Sequence, residues 1–414
     1  MGENDEEQGA VDSEGNAEKS AIRFGVIGCG GRAESLTQTL MHDERHVGDL
    51  IAICDIDQEQ LDHYEKMVQS SLGHGTTQYT DYKDLLDNPD IDAVIIATPD
   101  NFHHEMAVYA FKKKKHVFLE KPVGIRLEQT VDILKAAKAS GKMLEIGYVL
   151  RYSPFYQGVR QLVQSGEIGN PLTADALEEY YGAYHFYRGW WKSKENNGGI
   201  MVQKICHDMD LWYWIFGKPR KIVAFESLMD FKPGGWDSDA STCTECTNHC
   251  PYYISPEAAP HSKTKSNECV YNDPHVITDN CNVLVQFESG MTMSQGMNFF
   301  CSRTGSDRYL HVVGSKAEIR GWLGENAVRF DSRHGMEKDV KYLQFSKTGG
   351  DGHGGGDLVQ IIQFVNALVE GHEALAGRES AYWSSIMIMG AQMSADQGRV
   401  IDVNDLVAKY PFPK

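Results

Sequence analysis

The run Ile22-Arg23-Phe24-Gly25-Val26-Ile27-Gly28-Cys29-Gly30-Gly31-Arg32-Ala33 decides the fold. Its first half is short and mostly apolar, as a strand buried in a parallel sheet must be, and the residues from Glu34 to His42 have helical composition. Between them stands Gly-x-Gly-x-x-Ala in strand-turn-helix context. Gly28 permits the tight turn, and Gly30 lets the backbone approach a pyrophosphate, with Gly31 and Arg32 completing the turn. Small Ala33 allows close helix-strand packing, and the free N–H groups of the helix start face the anion. The pattern predicts a dinucleotide site.

The next apolar run, Leu50-Ile51-Ala52-Ile53-Cys54, ends in Asp55, whose carboxylate can accept hydrogen bonds from the adenosine ribose and would repel a 2'-phosphate. Ile56-Asp57-Gln58-Glu59 offers no cation for such a phosphate, so the expected coenzyme is NAD and NADP is disfavoured. Arg32 is the guanidinium able to reach a phosphate from the turn. Strand and helix then alternate to about residue 148. Ala93-Val94-Ile95-Ile96-Ala97 ends at Thr98-Pro99-Asp100-Asn101, with His103 in the first turn of the following helix, and His116-Val117-Phe118-Leu119 ends at Glu120-Lys121-Pro122. Ligands of open α/β sheets gather at the carboxyl ends of the strands, which puts Thr98, Pro99, His103, Glu120 and Lys121 around the coenzyme. Between 279 and 315 the strands lengthen and carry Val, Phe and Met, the mark of a mostly antiparallel sheet. The expected fold is therefore α/β: a Rossmann doubly wound parallel sheet over 22–148, then an α+β domain with a large, mostly antiparallel open sheet over 149–414.

A chain of 414 residues that is 41% hydrophobic can fill both cores. Its net charge of -18 argues against nucleic acid or an anionic membrane as the main partner. Part of that charge lies in residues 1–21, where Glu3, Asp5, Glu6, Glu7, Asp12, Glu14 and Glu18 oppose only Lys19, the composition of a disordered acidic tail. Nine cysteines, an odd number with several in core strands, point to a reducing cytoplasm, and no run is long and apolar enough to span a bilayer.

The chain resembles the glucose-fructose oxidoreductase / inositol dehydrogenase family, Gfo/Idh/MocA, from Ile22 onward. The resemblance is carried by Gly28-x-Gly30-x-x-Ala33, Thr98-Pro99 with His103, Glu120-Lys121-Pro122, Gly147 with Arg151, and the stretch from Gly198-Gly199 through Lys204 and His207 to Asp210. It implies NAD(P)-dependent oxidation of CH–OH groups, and a second domain whose sheet covers the nicotinamide and commonly mediates a homo-oligomer, a dimer or tetramer. Oxidising a secondary alcohol sends a hydride to the nicotinamide and the hydroxyl proton to a base. Lys121 and His207 are the candidates, with Lys204 beside them. Burial and the positive charge of the oxidised coenzyme would both disfavour the ammonium form of Lys121. On a helix expected over about 199–216, Gln203, Lys204, His207 and Asp210 share or border one face. Family members often carry an acid four residues before the histidine, and Gln203 stands there, so that acid-histidine dyad is absent.

The loop Tyr180-Tyr181-Gly182-Ala183-Tyr184-His185-Phe186-Tyr187-Arg188-Gly189-Trp190-Trp191-Lys192 is dense in polar-tipped aromatics, on which sugar rings stack. Candidate substrate contacts are Arg151, Tyr184, Arg188, Trp190, Gln203, Lys204 and His207. Within a polar insertion over about 231–278, Cys243, Cys246 and Cys250, closed by Cys269, have the spacing to hold a structural zinc ion. His353-Gly354-Gly355-Gly356-Asp357 opens the next helix, with flexible glycines able to bring the turn to the pocket and Asp357 able to cap the helix. The leading expectation is an oxidoreductase acting with NAD on a sugar, glycoside or cyclic polyol. Two alternatives stand beside it: a redox-neutral enzyme that keeps NAD bound and oxidises a glycoside transiently for elimination, epimerisation or transfer, and a non-catalytic dinucleotide or sugar sensor.

Overall fold

The structure, a computed structural model, describes residues 21–181, 186–255, 267–272, 274, 277–346 and 352–414. The expected acidic tail, apart from residue 21, lies outside the described residues. Six parallel strands form the first sheet: β1 (Ile22–Ile27), β2 (Gly48–Cys54), β3 (Thr77–Tyr79), β4 (Ala93–Ile96), β5 (His116–Leu119) and β6 (Leu144–Ile146). Their order is β3-β2-β1-β4-β5-β6, so the chain reverses direction across the sheet between β1 and β4. That reversal opens a crevice at the carboxyl ends of the strands. All four residues of β4 are buried, as expected of a strand covered by helices on both faces.

One of those covering helices comes from far along the chain. Asp357–Glu370 lays Ile361, Phe364 and Val365 into the core that holds Phe24 and Phe118. The Phe364 ring meets Phe24 at 6.3 Å and Phe118 at 5.8 Å, both edge-on. Such pairs add about 0.5–1.5 kcal/mol each beyond the area they bury. The nucleotide-binding sheet is thus finished by a segment that follows the second sheet.

That second sheet has nine strands: β7 (Pro171–Glu179), β8 (Pro219–Ser227), β9 (Asn280–Phe287), β10 (Thr292–Asn298), β11 (Asp307–Gly314), β12 (Ala317–Trp322), β13 (Ala327–Ser332), β14 (Lys341–Gln344) and β15 (Ile401–Asp402). They lie in the order β14-β13-β12-β11-β7-β10-β9-β8-β15, and every pairing is antiparallel except β7 with β10. One face is packed under the helices Cys206–Phe216, through Trp212 on Gln295 and Phe216 on Phe287, and Arg378–Gln397. The strand period of two places Ala174, Ala176 and Glu178 of β7 on the buried side, with Arg308, Leu310 and Val312 of β11. Arg308 and Glu178 are register partners, so a charge pair is turned into the protein beneath the helices.

The helix expected over 199–216 is broken. Ile200–Gln203 forms one turn, and the chain re-enters a helix at Cys206. The break frees the carbonyl of Gln203, which accepts a hydrogen bond from Lys121 Nζ at 3.1 Å.

Candidate active site

The glycine turn is built as its residue types require. Gly28 has φ +90°, and a Cβ there would lie 2.7 Å from the Ala97 carbonyl oxygen. A Cβ on Gly30 or Gly31 would meet nothing within 4 Å, so open space lies in front of this backbone. No side chain caps the helix Gly31–Met41. Bare N–H groups facing open space at a helix start fit a pyrophosphate. Asp55, just past the end of β2, ties the turn down: Oδ2 accepts from Cys29 N at 2.8 Å and Oδ1 from Asp57 N at 2.9 Å. Each carboxylate oxygen keeps a second lone pair for a ribose hydroxyl.

Arg32 faces elsewhere. Its Nε donates to Glu120 at 2.7 Å and its Nη1 to Asp357 at 2.6 Å, a bridge from the glycine turn to the far helix. Glu120 also accepts from Lys121 N at 3.2 Å, so the same bridge steadies the lysine backbone. His103 is fully buried, with Nδ1 2.7 Å from the Pro122 carbonyl and Nε2 3.1 Å from that of Thr98. It fastens the loops after β4 and β5 together.

Lys121, Gln203, Lys204 and His207 come together across the crevice from the two domains. His207 is 4% exposed, and its Nδ1 is buried without a hydrogen-bond partner among the described residues, as is Gln203 Oε1. Buried polar atoms are normally satisfied, so these two, beside a lysine, call for a partner the chain does not supply among the described residues. Burial, then the nearby charges of Lys121, His353, Arg308 and Lys204, hold the His207 imidazole well below its ordinary range, so it stays neutral. Lys204 is engaged from behind by Glu178 at 3.1 Å, with its Nζ 4.0 Å from the centre of the Tyr180 ring. Arg308 completes this inward-facing group, 2.5 Å from Glu178 and 3.4 Å from Asp208. Burial pushes Asp208 up to about 7 against the pull of Arg308, with Glu178 adding to the rise.

Glu178 and Arg308 were absent from the sequence reading. Their signal is the phase of the strands: each is a charge in register with a buried series, and buried charges need partners. Asp100, in the turn after β4, is also buried near Lys121 and Glu120, with Oδ2 unpartnered and its carboxyl pushed up to about 8 by burial.

Two expected substrate contacts, Arg151 and Arg188, are committed elsewhere. Arg151 is locked in a buried pair with Asp210, and its Nη1 donates to the Leu375 carbonyl. Arg188 is 1% exposed and donates to the carbonyls of Glu268 and Tyr252 and to Cys243 Sγ. It anchors the cysteine-rich insertion. Tyr184 lies outside the described residues. Trp190 is half-buried and stacked on Trp191 at 3.8 Å. Tyr187 belongs to the core, stacked on Phe231 with its hydroxyl on the Thr278 carbonyl.

The zinc expectation finds no support among the described residues. Among the described residues no three Cys, His, Asp or Glu side chains converge as a metal shell requires. The Cys246 thiol turns to Ser238 Oγ and the Asn248 carbonyl. The Arg188 guanidinium sits against Cys243, where a zinc ion would need space and negative charge.

The chain matches the family described as an oxidoreductase family with an NAD-binding Rossmann fold over residues 22–148, and the GFO/IDH/MocA C-terminal domain over 156–320. YteT of Bacillus subtilis (strain 168), assigned only as an oxidoreductase, is 25% identical over 359 residues, 76% of this chain and 82% of its own. The inositol 2-dehydrogenase/D-chiro-inositol 3-dehydrogenase of Lactiplantibacillus plantarum is 26% identical over 200 residues, 48% of this chain and about half, 53%, of its own length. A solved levoglucosan dehydrogenase, in complex with NADH and levoglucosan, superposes with a TM-score of 0.74 over 93% of this chain and 100% of its own, at 16% identity. The chain is an oxidoreductase with an NAD-binding Rossmann fold and belongs to the Gfo/Idh/MocA family.

Proposed function

We propose that the protein is an NAD-dependent dehydrogenase that oxidises a secondary hydroxyl of a sugar, glycoside or cyclic polyol. The observation that carries this reading is the pair of orphaned buried atoms, His207 Nδ1 and Gln203 Oε1, beside Lys121 at the carboxyl end of β5. Unpartnered polar atoms beside a lysine suit a ligand with several hydroxyls, and the proteins named for inositol and levoglucosan act on such molecules. NAD+, when bound, accepts the hydride; the remaining work falls to the chain. Lys121 holds the reacting oxygen, neutral His207 and Gln203 hydrogen-bond the hydroxyls around it, and Lys204 gives positive potential from behind, with Trp190 at the rim. NAD is favoured over NADP because Asp55 stands where a 2'-phosphate would come and Arg32 is spent on Glu120 and Asp357.

Nine cysteines without a disulfide support a reducing compartment, the cytoplasm, and no helix among the described residues is long and apolar enough to cross a membrane. Phe225, Leu284 and Tyr342, 71%, 48% and 74% exposed on the second sheet, support a homo-oligomer through that face. The test is NADH formation at 340 nm across a panel of sugars, glycosides and cyclic polyols, with Lys121→Met as control. Turnover on at least one, lost in Lys121→Met with NAD+ binding intact, is expected. A panel that yields no NADH from protein that binds NAD+ would sink the dehydrogenase reading and favour the redox-neutral one.

A further inference from the structure

Position 203 lacks the acid that would pair with His207, yet the structure holds an acid-histidine pair a few ångströms away. His353 Nδ1 lies 2.8 Å from Asp357 Oδ2, and the two imidazole rings, His353 and His207, have centroids 5.6 Å apart. The other oxygen of Asp357 accepts from Arg32, which also holds Glu120. Lys121 backbone, Glu120, Arg32, Asp357 and His353 therefore form one connected chain of hydrogen bonds around the crevice. The turn that presents His353 is fixed: His353 itself has φ +47°, a conformation a non-glycine residue adopts at a cost. A Cβ on Gly354 would lie 2.7 Å from Ser153 Oγ, and one on Gly356 would lie 2.4 Å from the Val149 carbonyl oxygen. Among the described residues, His353 Nε2 takes no partner.

We propose that His353 is the general base of this site, accepting the substrate's hydroxyl proton on Nε2 while Asp357 holds its Nδ1–H. The inference rests on the dehydrogenase reading above. The carbon–hydrogen pair leaves as hydride to NAD+, the O–H bond breaks with its electrons forming the carbonyl, and the proton goes to Nε2. The products are a ketone, NADH and an imidazolium, which then loses its proton to water. Two observations favour His353 over His207 for this role. His353 has a carboxylate against its Nδ1 and a side chain 32% exposed, so Nε2 is left to accept a proton and pass it out, while burial, against the pull of Asp357, holds the imidazole below its ordinary range. His207 is enclosed, its Nδ1 lacks a carboxylate, and Lys121 adds its charge to those of Arg308 and Lys204, which both imidazoles face. The charged and titratable groups facing His353 are Asp357 on its own turn, His207 and Lys204 from the segment after 200, Arg308 from β11 and, through Asp357, Arg32.

The test uses the full chain in two arms. In the first, 15N-histidine-labelled protein is saturated with NADH, which forms a dead-end pairing with an alcohol, and titrated with levoglucosan and with myo-inositol. A shift of the Nε2 resonance that is missing in His353→Gln is expected, with Nδ1 still protonated; an unmoved resonance overturns the proposal. In the second, His353→Gln and His353→Asn are assayed on whichever panel compound is oxidised. Asn can still reach Asp357 but has no Nε2. Both variants are expected to lose at least ~100-fold in kcat/KM. Both should bind NAD+ within twofold of the parent and lose the rise of kcat/KM with pH that the parent shows through the titration of His353. Rescue by Asn, or an unchanged pH profile, reduces His353 to a positioning residue and overturns the assignment. If neither probe is oxidised and the resonance still shifts, the failure belongs to the dehydrogenase reading while His353 stays at the ligand; if neither occurs, both fall.

Discussion

Arg151 and Asp210 offer the sharpest energetic test. The guanidinium is 2% exposed and the carboxylate 0%, joined through Nε–Oδ2 at 2.6 Å and Nη2–Oδ1 at 2.8 Å. Removing one member leaves the other buried and alone, and the two truncations are unequal because only one survivor can neutralise itself. A guanidinium keeps its proton at any working pH. Asp210→Asn therefore strands a cation, at a cost of about 3–5 kcal/mol, toward the lower value because the amide oxygen still accepts one bond. In Arg151→Met the carboxyl can take up a proton, since burial already pushes it up to about 6 with Arg151 present. The cost then falls to about 1–3 kcal/mol, that of an orphaned neutral group. The doubly apolar Arg151→Met/Asp210→Leu returns to within about 1 kcal/mol of the parent. A carboxyl whose folded pKa lies above its unfolded value loses stability as pH rises between the two. The deficit of Arg151→Met should therefore be larger at pH 7.5 than at pH 5.5. Urea unfolding followed by tryptophan fluorescence measures all of this. Asp210→Asn within about 1 kcal/mol of the parent, or Arg151→Met the worse of the two, would refute the reasoning.

Further predictions concern the nucleotide turn, the domain bridge and the cysteines. Gly28→Ala should cost about 1–3 kcal/mol in backbone strain and weaken NAD+ at least tenfold, whereas Gly30→Ala, with nothing in its way, should weaken NAD+ without moving the melting temperature. Calorimetric titration and thermal melts of the pair decide, and equal loss of stability in both would contradict the turn geometry. Against its burial, the bonds to His353 and Arg32 hold Asp357 down to about 2, so its contribution is present above the unfolded value and lost as pH falls from about 4 toward 2. The difference in melting temperature between the parent and Asp357→Asn should shrink across that window, and a constant difference would count against the bridge. Chelation should leave the melting curve unchanged; a fall of several degrees, with zinc found by elemental analysis, would restore the metal that the thiol geometry argues against.

Much of the first domain was legible because its signals are local. A buried strand, a glycine turn and an acidic residue at the next strand end are all set within a few residues, and β1, β2, β4 and β5 lie where the apolar runs put them. Lys121, Gln203, Lys204 and His207 could be singled out the same way. Their neighbours could not, because those depend on pairing between distant strands. Arg308 meets Glu178 only through the register of β11 on β7, and Arg32 meets Asp357 only because the chain returns to the first sheet 325 residues later. Arg151 and Arg188 looked like substrate cations for want of that knowledge; packing had already given them Asp210 and a set of backbone carbonyls. The break at Lys204 and Ile205 was hidden as well, since periodicity reads straight through a segment whose carbonyl a distant lysine has claimed.

The proposed preference for NAD rests on Gly28, Gly30 and Asp55 at the turn, with Arg32 bound to Glu120 and Asp357. The most direct test dialyses nucleotide-free protein against equimolar NAD+ and NADP+, then identifies the nucleotides retained and released by acid by mass spectrometry. NAD+ is expected in at least tenfold excess, about 1.4 kcal/mol of discrimination, with the same preference in Arg32→Met. Retention of NADP+ in excess, or of neither nucleotide, would contradict it.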